Sequence, residues 1–434
     1  MLSSALALVA LTSTLVFVAC GSDERARPSD VNAGAGAGES AGAMAGSGAA
    51  RPGGTRAGSD GAGSDAKAAG SGGAGSGGKS AGSGGAGSGG KSAGSGGAGS
   101  GGKNAGSGGA GFGAGGAGSG GSSAAGSAVF HCPPGPFGAP IPSGATVRRI
   151  DGVPPSDAFN SNGTTRTNIE GAVWIAGKLY VSEFPLTAAP GSRILAIDPS
   201  NDTVATALMN TGTNGLAIDS MGNLIATDHK QGAIVRMSFP LGTPVVLVGS
   251  HDGKRFNSPN DLAVRSDGNI YFSDPDYQAP TSKPQPETRL YRLAPGASSA
   301  IVIDAHRPEP NGVTLSPDEN TLYVSGTDGI EAYPILAGGV VTPDSGTRLS
   351  GFAGGADGLG IDCAGNLYAT SGKRVVVLSP QGAEIGSIAV SQAENVTNVA
   401  FGGAEHKTLF ITSMGTGNQR GVFRIDLDVP GLPY

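Results

Sequence analysis

The chain has 434 residues, a formal net charge of −6 and a sequence pI of about 5.4. It shows no basic patch, which argues against nucleic acid as a partner. Its 79 glycines are concentrated before residue 130, so the chain divides into parts of different composition.

The first 20 residues read MLSSALALVALTSTLVFVAC, with an apolar, charge-free run from Leu2 to Ala19. Such a run before a small residue is typical of an export signal. The segment resembles a bacterial lipoprotein signal in which Cys20 is lipidated, although Phe17 replaces the usual Leu and no Lys or Arg precedes the run. It predicts an exported protein that is lipid-anchored at the membrane of a bacterial cell envelope. A secreted or periplasmic soluble form, a retained membrane anchor and a misplaced start codon are the alternatives.

Residues 21–130 consist mainly of Gly, Ser and Ala, and part of this segment repeats every 12 residues. The unit GSGGAGSGGKSA begins at Gly70 and again at Gly82, and a variant begins at Gly94. This composition cannot bury enough apolar surface to offset chain entropy, so a disordered tether is predicted. Its spaced lysines could alternatively contact anionic lipid or cell wall.

Residues 131–434 have an ordinary composition and contain one unit six times, for example NDLAVRSDGNIYFSDP at Asn260–Pro275. Each copy has a short apolar run, a turn rich in Gly, Asp or Asn, and a second run rich in β-branched and aromatic residues. The copies begin 41 to 51 residues apart at six polar residues: Glu170, Asn214, Asn260, Asn311, Asp357 and Asn398. Units of this length with several strands predict an all-β, six-bladed β-propeller. A pair of β-sandwiches is the less favoured alternative.

The residue before the innermost strand of each blade lies at one mouth of a propeller's axis, so the six leading residues are expected to converge there. Two carboxylates and four carboxamides offer hard oxygens, which suit Ca²⁺ best among divalent cations. Mg²⁺, Mn²⁺ and Zn²⁺ are alternatives, although none of the six leading residues is a Cys or His, the ligands that zinc prefers. The competing interpretation is that each Asn or Asp only shapes a turn.

The second strands run back toward the same mouth, so some side chains at their ends are expected to rim the site. These ends are Ser182-Glu183, Thr227-Asp228-His229, Ser273-Asp274, Ser325, Thr370-Ser371 and Thr412-Ser413. His229 is the one titratable base near this mouth and is a candidate for substrate binding. A hydrogen-bonded loop histidine is the alternative.

Cys132 and Cys363 remain as a pair if Cys20 is lipidated. A disulfide between them is plausible in an exported protein, and two unrelated buried thiols are the alternative.

Residues 145–430 resemble the SMP-30/gluconolactonase/luciferin-regenerating-enzyme-like (LRE-like) family. The motifs that carry the resemblance are EG at Glu170, NSPNDLAV from Asn257, PNGVTLSPD from Pro310, DGLGID from Asp357 and TNVAFGG from Thr397. The resemblance implies a six-bladed propeller with one divalent metal, usually calcium, in the central channel. The ligands it implies are Glu170, Asn260, Asn311 and Asp357.

The resemblance also implies hydrolysis of a lactone or, in some members, a phosphotriester. Asp357 is then the catalytic residue, either the general base for water or the nucleophile, and the metal polarises the carbonyl. Arg255 and Asn257 are candidates for holding substrate hydroxyls. Ser325-Gly326 departs from the pattern, because relatives often have an acid there.

The function predicted is therefore a calcium-dependent lactonase that acts on a small-molecule lactone or ester. A non-catalytic propeller that binds a sugar or surface partner, and a phosphotriester hydrolase on the same scaffold, are the alternatives. The chain has no GxSxG motif, which disfavours a serine hydrolase.

Overall fold

A computed structural model describes residues 130–154, 166–186 and 192–434. The predicted signal segment 1–20, Cys20 and the predicted tether up to residue 129 lie outside the described residues. No helix in the described part is long and apolar enough to span a membrane.

The described residues form six antiparallel sheets of four or five strands, which are the blades, and one separate hairpin. The first strand of the chain is β1 (Arg148–Arg149). Blade one consists of β2 (Thr167–Ile175), β3 (Lys178–Pro185), β4 (Arg193–Asp198) and β5 (Thr203–Met209). Blade two consists of β6 (Thr213–Ile218), β7 (Leu224–Asp228), β8 (Ala233–Met237) and β9 (Val245–Val248). The separate hairpin is β10 (Ser250–His251) with β11 (Lys254–Arg255).

Blade three consists of β12 (Leu262–Val264), β13 (Ile270–Asp274), β14 (Arg289–Leu293) and β15 (Ile301–Asp304). Blade four consists of β16 (Val313–Leu315), β17 (Thr321–Gly326), β18 (Gly329–Leu336), β19 (Val340–Val341) and β20 (Thr347–Arg348). Blade five consists of β21 (Leu359–Ile361), β22 (Leu367–Ser371), β23 (Arg374–Leu378) and β24 (Glu384–Ala389). Blade six consists of β25 (Asn395–Gly402), β26 (Thr408–Met414) and β27 (Gly421–Asp426). Two 3-10 helices, Ala337–Gly339 and Gly417–Gln419, complete the described elements.

The last blade takes its fourth strand from the start of the domain, because β1 pairs antiparallel with β27. The apolar core is divided among the blade interfaces. Each of six buried clusters joins two neighbouring blades, and one of them joins blade one to blade six. Two stacked sandwiches would not give such a closed ring, so the predicted six-bladed propeller is confirmed and the sandwich alternative is wrong.

The turns between first and second strands follow from local chemistry. In blade two, Oδ1 of Asp219 accepts the backbone N–H groups of Met221 and Asn223 at 2.9 and 2.8 Å. Gly222 in the same turn takes a left-handed φ of 79°, which glycine adopts without strain. Asp362 makes the same bonds in blade five. The Asp and Asn residues that the repeats place here therefore shape turns.

Cys132 and Cys363 form a disulfide, with their Cα atoms 5.3 Å apart. It joins the segment before β1 to the turn of blade five, and it closes a loop of 231 residues. We expect the double variant Cys132→Ser/Cys363→Ser to lose about 2–4 kcal/mol of unfolding free energy, because the unfolded chain gains freedom. Denaturant unfolding measures the loss, with Cys20→Ser as the matched control. Two free thiols at these positions in non-reducing peptide mapping would contradict the pairing.

Candidate metal and active site

The inner strands of successive blades contact each other around the axis, and β25 of blade six contacts β2 of blade one. The leading residues therefore stand next to one another at one mouth. Gly215 N donates to the backbone oxygen of Asn260 at 2.7 Å. Gly312 N donates in the same way to the backbone oxygen of Asp357 at 3.1 Å. Backbone bonds between blades thus fix the positions from which these side chains project.

The leading residues at this mouth form a ring, and six hydroxyl residues support it. Each of the six is fully buried: Ser182, Thr227, Ser273, Ser325, Thr370 and Thr412. Four of them donate to a backbone oxygen near the start of the next blade. Ser273 Oγ bonds the backbone oxygen of Asn311 at 2.6 Å, and Ser325 Oγ bonds that of Asp357 at 2.5 Å. Some of the side chains at these strand ends were expected to rim the site. These hydroxyls instead join neighbouring blades, because strand ends that meet at the axis leave backbone oxygens to be satisfied.

The sixth leading position is Thr397 rather than Asn398. Gly358 N donates to the backbone oxygen of Thr397 at 2.7 Å, as Gly215 does to Asn260. Asn398 takes the position of Gly215 in its blade. Asn398 N donates to the hydroxyl of Thr412 at 2.9 Å, and Gly215 N donates to that of Thr227 at 2.8 Å. The ring therefore carries two carboxylates, three carboxamides and one hydroxyl.

The four predicted metal ligands all belong to this ring, in blades one, three, four and five. Glu170 is 2% exposed and Asn260 and Asn311 are each 4% exposed, while Asp357 is half-buried. Asn168 Nδ2 donates to Glu170 Oε1 at 3.2 Å, which orients that carboxylate. Two carboxylates and two amide oxygens form a donor set that fits a hard divalent cation. In the described part of the chain, no three His, Cys, Asp or Glu side chains cluster as a metal site, so a site here combines carboxylates with amides.

The position after each leading residue closes the axis below the ring. Four blades have glycine there, namely Gly171, Gly215, Gly312 and Gly358, and a Cβ on any of them would lie within 2.0–2.7 Å of the next blade. The two exceptions are Asp261 and Asn398, in the opposite blades three and six. Asp261 accepts a hydrogen bond from the side chain of Asn398, and it also binds Leu262 N at 2.9 Å and Val313 N at 3.0 Å. The pair forms a polar floor that spans the axis.

Asp261 was not identified as a site residue from the sequence. Burial raises its pKa to about 7, against the lowering effect of the Val313 and Leu262 N–H groups and of Asn398. The signal that points to it is the aligned repeats, in which Asp261 replaces the glycine that follows the leading residue in the neighbouring copies.

His229 and Arg255, two predicted substrate-binding residues, lie together between blades two and three. Arg255 Nη2 donates to the backbone oxygen of His229 at 3.0 Å. The His229 ring meets the Phe184 ring edge-on, with centroids 4.8 Å apart. Burial, with Arg255 and Lys230 nearby, lowers the pKa of His229 to about 4. The imidazole is therefore neutral near pH 7, where it can donate one hydrogen bond and accept another but carries no charge.

Asn257, the third predicted substrate-binding residue, fastens a loop. Its Oδ1 accepts from Gln285 N at 2.9 Å, and its Nδ2 donates to the Glu287 backbone oxygen at 3.1 Å. Asp274 binds the N–H groups of Asn257 and Ser258 at 2.9 and 2.8 Å. The loop also contacts the segment before the ring residue Asn311, since the Tyr277 hydroxyl donates to the Glu309 backbone oxygen at 3.3 Å. A role of Asn257 in substrate binding stays a prediction.

Asp274 gives a prediction about pH. Burial raises its pKa from 3.8 to about 7, so the folded chain holds this proton to higher pH than the unfolded chain. Its contribution to stability must therefore fall as pH rises from about 4 to about 7, by up to about 1.4 kcal/mol per pH unit. We expect the unfolding free energy of wild type minus that of Asp274→Asn to decline over this window. The contribution of Asp261 is the same in both proteins and cancels in this difference. A difference in unfolding free energy that does not change with pH would contradict the raised pKa of Asp274.

The fold and ring define a six-bladed propeller with an oxygen-rich mouth. Residues 169–415 match the family model described as SMP-30/gluconolactonase/LRE-like region. The chain belongs to this family, as the motifs at Glu170, Asn257, Pro310, Asp357 and Thr397 indicated. At Ser325-Gly326, where a departure from the family pattern was expected, a Cβ on Gly326 would lie 2.7 Å from the Pro308 backbone oxygen.

Individual relatives agree with this assignment. A gluconolactonase from Zymomonas mobilis subsp. mobilis is 33% identical over 220 residues, which cover 46% of this chain and 61% of that protein. Lactonohydrolase oryL from Aspergillus oryzae is 28% identical, over 44% of this chain and 49% of that protein. The chain thus spans about half to three fifths of the length of these relatives. The structure of a gluconolactonase from Xanthomonas campestris matches with a TM-score of 0.53 and 29% identity, over 67% of this chain and 98% of that one.

Proposed function

We propose that this protein hydrolyses lactones at the ring, with one divalent cation held by Glu170, Asn260, Asn311 and Asp357. Calcium is the first candidate, because all four donors are hard oxygens and two of them are anionic. The observation that carries the proposal is the ring itself. Side chains of these types project from blades one, three, four and five at one mouth, on backbones fixed by bonds between blades.

The bound cation would supply polarisation of the lactone carbonyl and stabilise the negative charge that develops on its oxygen. Asp357 is half-buried, so its carboxylate can meet both the donor set and water. It accepts a proton from the attacking water as the water oxygen bonds to the carbonyl carbon. The C–O bond of the lactone ring then breaks, and the leaving oxygen takes up the proton held by Asp357, which restores the carboxylate and gives the hydroxy acid.

The neutral His229 and the neighbouring Arg255 support the substrate-binding part of the proposal. They lie between blades two and three, and Arg255 is the last residue of the hairpin strand β11, shortly before the ring residue Asn260. A guanidinium and a neutral imidazole can donate hydrogen bonds to the hydroxyls of a sugar lactone. Loop 275–288 lies beside this pair, because Gln285 Nε2 donates to the Arg255 backbone oxygen at 3.2 Å.

The test is a panel of aldonolactones and simple γ- and δ-lactones, assayed by acid release. The calcium-loaded protein should turn over at least one lactone, chelator should abolish the turnover, and added calcium should restore it. A phosphotriester panel in parallel tests the other hydrolase activity. No turnover of any lactone by protein that binds calcium would contradict the proposal and favour a binding propeller.

We also propose that the protein is exported and held at a membrane of the cell envelope by lipid on Cys20. The apolar run that ends at Cys20 and the Gly/Ser/Ala-rich segment after it support this. Fractionation of cells that express wild type and Cys20→Ser tests it. The wild type should sediment with membranes and the variant should not, and an unmodified Cys20 in the mass spectrum would contradict the anchor.

A further inference from the structure

A second cavity lies at the mouth of the axis opposite the ring. It has a volume of about 660 Å³, within the range of pockets that hold small organic molecules. Its wall includes the turns between first and second strands in blades one to four, such as Ala176-Gly177 and Asp219-Ser220. The ring residues stand at the other ends of the same inner strands.

The inner part of the cavity is apolar. Ile218, Val264 and Leu315 line it, and each is the last residue of an inner strand. Between them and the ring lies the floor made by Asp261 and Asn398. The two sites therefore use different residues, and a molecule in the cavity would not touch the proposed metal ligands.

The walls of the cavity are fixed by contacts of their own. Trp174 lines it and donates its backbone N–H to the oxygen of Pro433 at 2.8 Å. The hydroxyl of Tyr434 donates to the oxygen of Val264 at 3.3 Å. On another side, Cys132 is held by its disulfide to Cys363. A cavity with such fastened walls is preformed, which lowers the entropic cost of binding.

The charges around the cavity are predominantly negative. Asp219, Asp318 and Glu319 line it, against the guanidinium of Arg265 and the imidazoles of His131 and His406. Neutral donors bind the two aspartates, namely Asn223 for Asp219 and Ser316 for Asp318, so their charges are not cancelled. Arg265 divides its charge between Glu319 and Asp267, which lies outside the lining.

We propose that this cavity binds small organic cations, namely molecules with an apolar body and a protonated amine. The apolar body fits against the inner-strand ends and the Trp174 ring, and the amine fits toward Asp318 and Glu319. The proposal assigns the second mouth of the propeller a ligand class of its own and does not depend on lactone hydrolysis.

Trp174 is the only tryptophan of the chain, so its fluorescence reports directly on this cavity. The full chain is titrated at pH 7, in the presence of chelator, with 2-phenylethylammonium. Two matched probes are 2-phenylethanol, which lacks the charge, and 3-phenylpropanoate, which reverses it. We expect a saturable fluorescence change with the ammonium and at least about tenfold weaker binding of the carboxylate, because the lining charges oppose it.

Two variants complete the test. Asp318→Asn/Glu319→Gln should weaken ammonium binding by about fivefold or more, since it removes two lining charges. Ser220→Phe, at an exposed position in the wall, should block binding by filling space, with folding checked by circular dichroism. Equal binding of the three probes, no saturable change, or unchanged affinity in the charge variant would each overturn the proposal. Lactone turnover is measured separately, and its absence has no bearing on the fluorescence result.

Discussion

Asp357→Asn should lower kcat for lactone hydrolysis by about 1000-fold at saturating calcium. General base catalysis contributes on the order of 10²- to 10⁴-fold, and the amide of Asn cannot accept the proton from water. The variant also removes a charge from the donor set, so calcium must be raised until the rate no longer depends on it. The measurement is kcat by acid release at that plateau, on the lactone that wild type hydrolyses fastest.

The fold of Asp357→Asn should be retained, because the backbone of this residue makes the bonds that hold it in blade five and join it to blade four. Its N–H donates to Thr370 O at 3.0 Å, and its backbone oxygen accepts from Gly312 N and Ser325 Oγ. Asp426→Asn, the same chemical change at the exposed end of β27, should keep wild-type kcat. A kcat for Asp357→Asn within threefold of wild type would remove Asp357 from the proposed mechanism.

The repeat pattern was sufficient to predict the fold. In the copy at Asn260–Pro275, the two runs that flank the turn are the strands β12 (Leu262–Val264) and β13 (Ile270–Asp274). Alternating apolar residues and turn-forming Asp, Asn and Gly specify strands locally, and an even spacing of 41 to 51 residues specifies equal blades. These signals are local to each copy of the repeat and do not depend on the contacts between blades.

The residues that were missed depend on contacts between blades. Ser273 and Ser325 were among the candidates for the rim, but their hydroxyls bond backbone oxygens of the next blade. Thr397 takes the leading position expected for Asn398, because Asn398 matches the residue type of the other leading residues while its backbone N–H makes the bond that Gly215 N–H makes in blade two. Asp261 matters because Asn398 faces it from the opposite blade. A single sequence shows the residue types at these positions but not the partners that give them their roles.

Glu170→Gln should raise the Kd for calcium by at least about 100-fold. Glu170 is 2% exposed, so its charge is little screened by water and acts strongly on a cation in the ring. Gln has nearly the same shape, and its carbonyl oxygen can still accept the bond that Asn168 donates at 3.2 Å. The change therefore removes charge while it leaves the packing in place. Calorimetric titration of calcium into both proteins measures the effect without any assay of activity.

Asn214→Ala is the matched control, because Asn214 stands in the same ring and is equally buried but is not among the four proposed ligands. We expect its Kd for calcium to stay within about threefold of wild type, since no charge is lost. If Glu170→Gln and Asn214→Ala weaken calcium equally, all six positions share the cation and the choice of four is wrong. If neither weakens it, the cation binds elsewhere and the oxygens of the ring serve only to shape the turns around the axis.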